Sequence, residues 1–481
     1  MKLTYCNPLS IADIPHGNPL DYSLSRLPAL GDYRSISDPS VVYHDGKWIL
    51  YPSYRVAYET EDFVHWKHVD IGVSDMRYSP AIAQFKGKWY LQGHGIPEMY
   101  IADSPTGPFT PCGVMTDCHG NPATIKDSCL LADGDRLYMF WPDDMHQNNS
   151  ENPNIESYGC KAVELDPNEP WKMLTDPVDI YTYDPNSSWQ PWGEDNQCIR
   201  KGYLEGMWAY KRNGRYYVMI ASGGTQYSSY ANGVLVSDSP LSGYKLQEKH
   251  DPVTLKNRGL VRGAGHGCIV DGPNDSIWVF YTCIFNYNHR FERRIAMDPL
   301  GVDENGELYC PATTETPQFA PGVLERPELG NSAGLLPINT MIRPEVSSEA
   351  PGRTGLYAVD NSVLTWWQPA EDDLAPTAVF PFAAPYQTEA LRIVWRDVGM
   401  KPSAGINPGP FRYVVEYATD KEMTQWEMLI DASENAEDLC IDYRQFDAVR
   451  AWGVRLRILG APLGITPGVV DLTAFGLCDP N

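Results

Sequence analysis

The sequence predicts an all-β chain in two parts, and three observations carry that expectation. The chain has 481 residues, too many for one ordinary domain and enough for two separate cores. It holds 40 glycines, 40 prolines and 12% aromatic residues, the composition of many short strands joined by turns. A loose unit of apolar strand, tight turn and aromatic strand recurs five times, with no long helical periodicity between the copies.

The five strand pairs run in order along the first two thirds of the chain. They are "DPSVVYHDGKWILYPS" from Asp38, "SPAIAQFKGKWYLQGH" from Ser79, "KDSCLLADGDRLYMFW" from Lys126, "LEGMWAYKRNGRYYVMIAS" from Leu204 and "GHGCIVDGPNDSIWVFYT" from Gly265. Their turns are Asp45-Gly46, Lys86-Gly87, Asp133-Gly134, Asn213-Gly214 and Gly272-Pro273-Asn274-Asp275, residues that supply the positive φ of tight hairpins. "YIADSPTGPF" and "VLVSDSPLSGY" read as outer strands of the second and fourth units. Four-stranded units repeated at this spacing predict a five-bladed β-propeller over residues 1–320, whose blades surround a central channel.

The first strand of each blade lines that channel, so residues heading those strands converge from distant parts of the sequence. Here they are Asp38, Pro80, Asp127, Glu205 and His266. Glu205 opens an otherwise apolar and aromatic stretch, where a charge is costly unless it has a task. Pro- and Gly-rich text predicts a linker over 321–337. Beyond it "LRIVW", "FRYVVEYATD", "WEMLI", "WGVRLRIL" and "VVDLTAFG" predict a β-sandwich of jelly-roll type over 338–481.

A formal net charge of −24 repels phosphate backbones and anionic headgroups, which argues against nucleic-acid and membrane partners and for a neutral substrate. The eleven cysteines are odd in number and scattered, without the spacing of a zinc or redox motif, and read as buried thiols in a reducing compartment. The start "MKLTYCNPLSIADIPHGNP" has no apolar core after its lysine, and no later run reaches the roughly 18 apolar residues of a membrane span. A cytoplasmic location is the expectation. Oligomeric state is left open.

The combination of "SDPSVVYHDGKWILYPS", "IKDSCLLADGDRLYMFW", "YLEGMWAYKRNGRYYVMIASGGTQYSSYANGVLVSDSP" and "GAGHGCIVDG" resembles the family 43 glycoside hydrolases, which are five-bladed β-propellers. The likeness covers roughly residues 5–320. It implies that Asp38 is the general base, that Asp127 tunes and orients, and that Glu205 is the general acid. Met207 and the Asp127-Ser128 pair depart from the proline that many members carry at those places. "YAVDNSVLTWWQP", "FRYVVEYATDKEMTQWEMLIDAS" and "VRAWGVRLRILG" resemble the discoidin or coagulation-factor type C domains, often used as carbohydrate-binding modules. Trp366 and Trp367 there read either as ligand contacts or as packing.

Hydrolysis of this kind needs an acid on the leaving oxygen and a base on a water at the opposite face, with the carboxyls roughly 6.5–9.5 Å apart and inversion as the outcome. An apolar strand and a neighbouring carboxylate would keep Glu205 protonated near neutral pH, as a general acid requires. Taken singly, Asp38 before Pro-Ser and Asp127 before Ser are ordinary turn formers, and Glu205 before Gly could be a strand-edge charge. Three carboxylates at equivalent repeat positions outweigh those readings.

Tyr54, Trp141, Trp208 and Tyr227 lie just past inner strands or beside a carboxylate and are candidates for stacking on sugar faces, although most such residues in a propeller are blade core. Of Arg290, Arg293 and Arg294, Arg293 is the substrate candidate, able to grip sugar hydroxyls or a catalytic carboxylate bidentately. His266 sits between two glycines. In some members of the family the corresponding histidine helps hold a structural calcium or another ion, often through water, and the other reading is a channel histidine satisfied by hydrogen bonds. No cofactor is otherwise required. The resemblance implies α-L-arabinofuranosides, β-D-xylosides or galactose-containing glycans, with exo-acting arabinofuranosidase action on plant-type oligosaccharides preferred. A non-catalytic, lectin-like propeller is the competing class.

Overall fold

A computed structural model describes residues 1–16, 32–53, 57–73, 76–148 and 156–478. Tight turns set the propeller hairpins. At Asp45-Gly46, Lys86-Gly87 and Asn213-Gly214 both residues of a two-residue loop have positive φ, the geometry whose twist matches the flanking strands. The inner strands are Ser40–His44, Ala81–Phe85, Cys129–Asp133, Glu205–Arg212 and Gly265–Asp271. Each heads a blade of antiparallel strands, and each touches the next in cyclic order until the fifth meets the first. Among the described residues there is no α-helix, and no helix is long and apolar enough to cross a membrane.

Blade three is extended. After its third strand, Glu156–Leu165, it carries Val178–Thr182 and then the short strands Pro191–Trp192 and Cys198–Gly202, so the stretch up to Gly202 builds onto the blade instead of running directly to the fourth.

The ring is sealed by the N-terminal segment. Thr4–Tyr5 pairs with Gln318–Phe319, and Asn7 exchanges two hydrogen bonds with the backbone of Met297 (2.7 and 3.0 Å). Leu9 N donates to Ile295 O at 2.9 Å, so the segment follows the outer edge of Arg293–Val302 in blade five.

The second part is a β-sandwich built from one folded sheet. Its two long strands, Thr377–Val398 and Ile441–Gly460, break register where Pro381 gives way to Tyr386, so each contributes to both leaves. Trp367, Phe380, Ile393, Leu456 and Leu472 fill the space between. Trp367 is fully buried and its Nε1 donates to Ser348 O. Trp366 lies between the guanidiniums of Arg353 and Arg396 (3.2 and 3.7 Å) and joins the propeller's own apolar cluster, so both tryptophans are packing residues.

Buried charges join the two parts. Arg34 reaches Asp397 (2.9 Å) and Asp438 (2.5 Å) of the sandwich, while Arg392 of the sandwich bonds Asp471 at 3.1 Å and donates to the carbonyls of Asn7 and Glu315.

Candidate active site

The site is made by a backbone device repeated around the axis. One residue at the head of each inner strand adopts a left-handed conformation: Asp38 (φ 51), Ser79 (φ 43), Asp127 (φ 45), Gly206 (φ 62) and His266 (φ 46). Four of the five are not glycine, at a cost of about 1–2 kcal/mol each, the kind of strain that survives where surrounding structure over-determines it. Blade two corrects the sequence reading by one residue. The ring of Pro80 fixes a negative φ, so the seat falls to Ser79, and Pro80 is not an axial residue of this set. In blade four the glycine takes the seat and Glu205 stands immediately before it.

These turns bring Asp38, Asp127 and Glu205 to one cavity of about 350 Å³. All three carboxylate residues are buried. Asp38 is enclosed by donors: Arg293 holds it bidentately (2.9 and 3.1 Å), Ser37 and Ser53 bond Oδ2 (2.9 and 2.5 Å), and His266 Nδ1 lies 3.2 Å from Oδ1. Burial pushes the Asp38 carboxyl up, but Arg293, His266 and the Ser53 hydroxyl outweigh it and hold it below the usual range. Burial likewise opposes ionisation of Asp127, and the imidazole of His94, 2.8 Å away, with His266 and Arg293 beyond, brings it down to about 2.

Glu205 goes the other way. Burial and then the Asp127 charge raise it well above a normal glutamate; Asp38 adds to the rise, against a 2.6 Å hydrogen bond donated by Tyr230 OH and the charge of Arg293. Within one cavity, charge and hydrogen bonds thus push two carboxyls toward the ionised form while burial and charge push the third toward the neutral acid, the separation of roles that acid–base chemistry needs.

Among the other candidates, Arg293 lines the cavity and is spent on Asp38 and on Thr225 Oγ1 (2.9 Å). Tyr227 is set edge-on against Trp192 at 5.4 Å and braces it. Trp141 and Trp208 do not reach the cavity. Trp141 is buried in the cluster between blades two and three, and Trp208, whose Nε1 donates to Ile269 O at 2.8 Å, packs between blades four and five. Tyr54 lies outside the described residues. His266 uses both ring nitrogens on the protein, Nδ1 toward Asp38 and Nε2 against Ser79 Oγ at 3.0 Å. Calcium takes six to eight oxygen ligands, and both ring nitrogens of His266 already have protein partners, so the imidazole itself is not a direct calcium ligand here.

Arg290 also lines the cavity, and the remaining lining residues were not singled out by sequence: Tyr78, His94, Trp192, Tyr203, Thr225, Gln226 and Phe291. Trp192 and Tyr203 form an edge-to-face pair at 5.3 Å on one wall, with Lys201 Nζ 4.3 Å from the Trp192 ring. Tyr78 and Phe291 flank the Arg293 guanidinium on the other.

Buried acid and base groups of opposed proton affinity, set on the axis of a five-bladed propeller between aromatic walls, define a glycoside hydrolase. Residues 34–308 match the family described as Glycosyl hydrolases family 43, and the chain belongs to that family. A stretch of 117 residues is 31% identical to the Aspergillus niger protein named Beta-D-galactofuranosidase xynD, covering 24% of this chain and 34% of that one. That match spans about a third of the relative's length. The fold is similar to a thermostable family-43 glycoside hydrolase (TM-score 0.50, 18% identity, 66% of this chain and 98% of that one). The Bacteroides ovatus Xyloglucan PUL GH43B structure aligns over 99% of this chain and all of its own at 14% identity and a TM-score of 0.49.

Proposed function

We propose that the chain removes terminal furanose units from short plant-type oligosaccharides, with α-L-arabinofuranosides as the preferred substrates, and that Glu205 is the general acid, Asp38 the general base and Asp127 the charge that keeps Glu205 protonated. The observation that carries the assignment of roles is the opposed proton affinity of Asp38 and Glu205 within one cavity. Glu205 gives its proton to the leaving glycosidic oxygen as that bond breaks. Asp38, held ionised, takes a proton from the water that attacks the anomeric carbon from the opposite face, so the product hemiacetal is inverted. A cavity of about 350 Å³ lies at the small end of ligand sites and favours a terminal unit over the middle of a polymer.

A second reading, β-D-galactofuranosidase action, is favoured by the Aspergillus niger relative, whose printed name is that activity. Both are furanosides, and they differ in the exocyclic carbon that the walls of Trp192, Tyr203, Tyr78 and Phe291 would have to admit. Initial rates on nitrophenyl α-L-arabinofuranoside, β-D-galactofuranoside and β-D-xylopyranoside decide between them. The arabinofuranoside is expected to have the highest kcat/KM. A xyloside optimum overturns the furanoside reading, and binding of all three without turnover overturns the assignment of Glu205 and Asp38.

A further inference from the structure

The sequence contains the tripeptide Gly-His-Gly twice near the axis, at Gly93-His94-Gly95 and at Gly265-His266-Gly267. Each presents an imidazole to a different carboxylate, His266 to Asp38 and His94 to Asp127. The first copy is as tightly built as the second. A Cβ at Gly93 would stand 2.5 Å from the Met76 carbonyl oxygen, and Gly95 has φ +63. Gly95 N donates to Ile125 O at 2.7 Å, two residues before Asp127, and Gly95 O accepts from Arg77 Nη1 at 2.8 Å. His94 N donates to Tyr78 O at 3.2 Å, and its ring meets the Tyr78 ring edge-on at 5.9 Å. The loop between the second and third strands of blade two, Lys88–Gln92 and Glu98–Ala102, is thus stitched to the approach of the Asp127 strand in blade three. His94 Nδ1 lies 2.8 Å from Asp127 Oδ1, and since an ionised carboxylate only accepts, Nδ1 carries the hydrogen.

We infer that His94 is a positioning residue for the hydrolytic reaction, acting through Asp127: its Nδ1–H fixes the Asp127 carboxylate in place and keeps it available as the negative neighbour of Glu205. The inference rests on the roles proposed above for Asp127 and Glu205. The other titratable groups around His94 are Arg77 and Lys126 beside Gly95, Tyr78 at its ring edge, and Glu205, His266, Arg293, Asp38, Arg290 and Tyr203 on the cavity. Asp127 is negative both before and after Glu205 gives up its proton, which is the last deprotonation of the pair. Losing the donor therefore acts by freeing the Asp127 carboxylate to turn away, which weakens the negative neighbour and lowers that last deprotonation. Removing the Asp127 charge altogether lowers it further.

The test is the basic limb of the kcat/KM profile, measured on the full chain with His94→Ala, His94→Asn, Asp127→Asn and the His94→Ala/Asp127→Asn double variant. Asn places an amide N–H where Nδ1 stood. His94→Ala is expected to move the limb down by about half a pH unit or more and to lower the maximum rate at least about tenfold. His94→Asn is expected to restore both, Asp127→Asn to move the limb down further, and the double variant to match Asp127→Asn. A limb unmoved or moved up in His94→Ala, an equal further move down in the Asp127→Asn background, or no rescue by Asn overturns the inference. If Asp127→Asn itself leaves the limb in place, the failure lies with the role given to Asp127, and the proposal for His94 falls with it.

Discussion

Replacing Arg293 by Met tests the electrostatics of the base directly. The guanidinium meets both oxygens of Asp38, at 2.9 and 3.1 Å, and the carboxylate is 3% exposed, so no water substitutes for the lost cation. Two unit charges about 4 Å apart are worth about 4 kcal/mol at an effective dielectric near 20, and that is about 3 pH units. His266, Ser37 and Ser53 remain as donors and return part of it, leaving an expected rise of about 1–2 units in the Asp38 pKa. The acidic limb of kcat/KM reports protonation of the base, so that limb moves up by the same amount. Stability follows the same sign. In the parent the depressed pKa of Asp38 contributes stability that is present above the usual carboxylate range and lost as pH falls through the depressed value. In Arg293→Met most of that contribution is lost, so the fall in Tm is larger at pH 6 than near pH 3, where the parent has lost it too. An acidic limb at the parent position, in a variant shown to be folded by circular dichroism, refutes the argument.

Glu205→Gln is expected to lose about 10²–10⁴ in kcat on natural glycosides and far less on dinitrophenyl substrates, whose leaving group needs no proton, whereas Asp38→Asn loses activity on both; parallel rates on the two substrate classes check this. Gly206→Ala meets two penalties, a φ of 62 and a Cβ 2.8 Å from His266 Cγ, while Gly214→Ala meets only the first, with nothing within 4 Å. Thermal denaturation should show the first variant less stable by at least about 1 kcal/mol more than the second, with equal losses ruling out a tight Gly206–His266 contact.

The candidate acid–base residues were legible because the repeat marks them. Asp38, Asp127 and His266 hold the same seat in the first, third and fifth units, Glu205 stands one residue before it in the fourth, and the hairpin turns locate those units. The aromatic walls were not legible for a geometric reason. A position just past an inner strand does not say which way a side chain faces, and the bulge between Glu205 and Trp208 resets the alternation, so Trp208 turns into the blade. Trp192 and Tyr203 come from the added strands of blade three and the stretch after them, which match no repeat unit. In the sandwich, Pro381 and Pro385 read as strand breaks, yet they sit at the register shift of one long strand. His94 had a signal, the same tripeptide as His266, but it closes a hairpin instead of opening one.

The ion pairs of Arg34 and Arg392 bear on how this enzyme could be shortened. Trimming the gene after the propeller would leave Arg34, on the segment that leads to Asp38, without Asp397 and Asp438, and would strip Arg392 from the carbonyls of Asn7 and Glu315 where the ring is sealed. Hydrogen bonds to a charged group contribute about 1.5–3 kcal/mol each, and several lost together are a large share of what holds a domain together. For an engineer, or for a lineage shedding modules, the sandwich is not detachable cargo: both halves have to be kept, swapped or redesigned together.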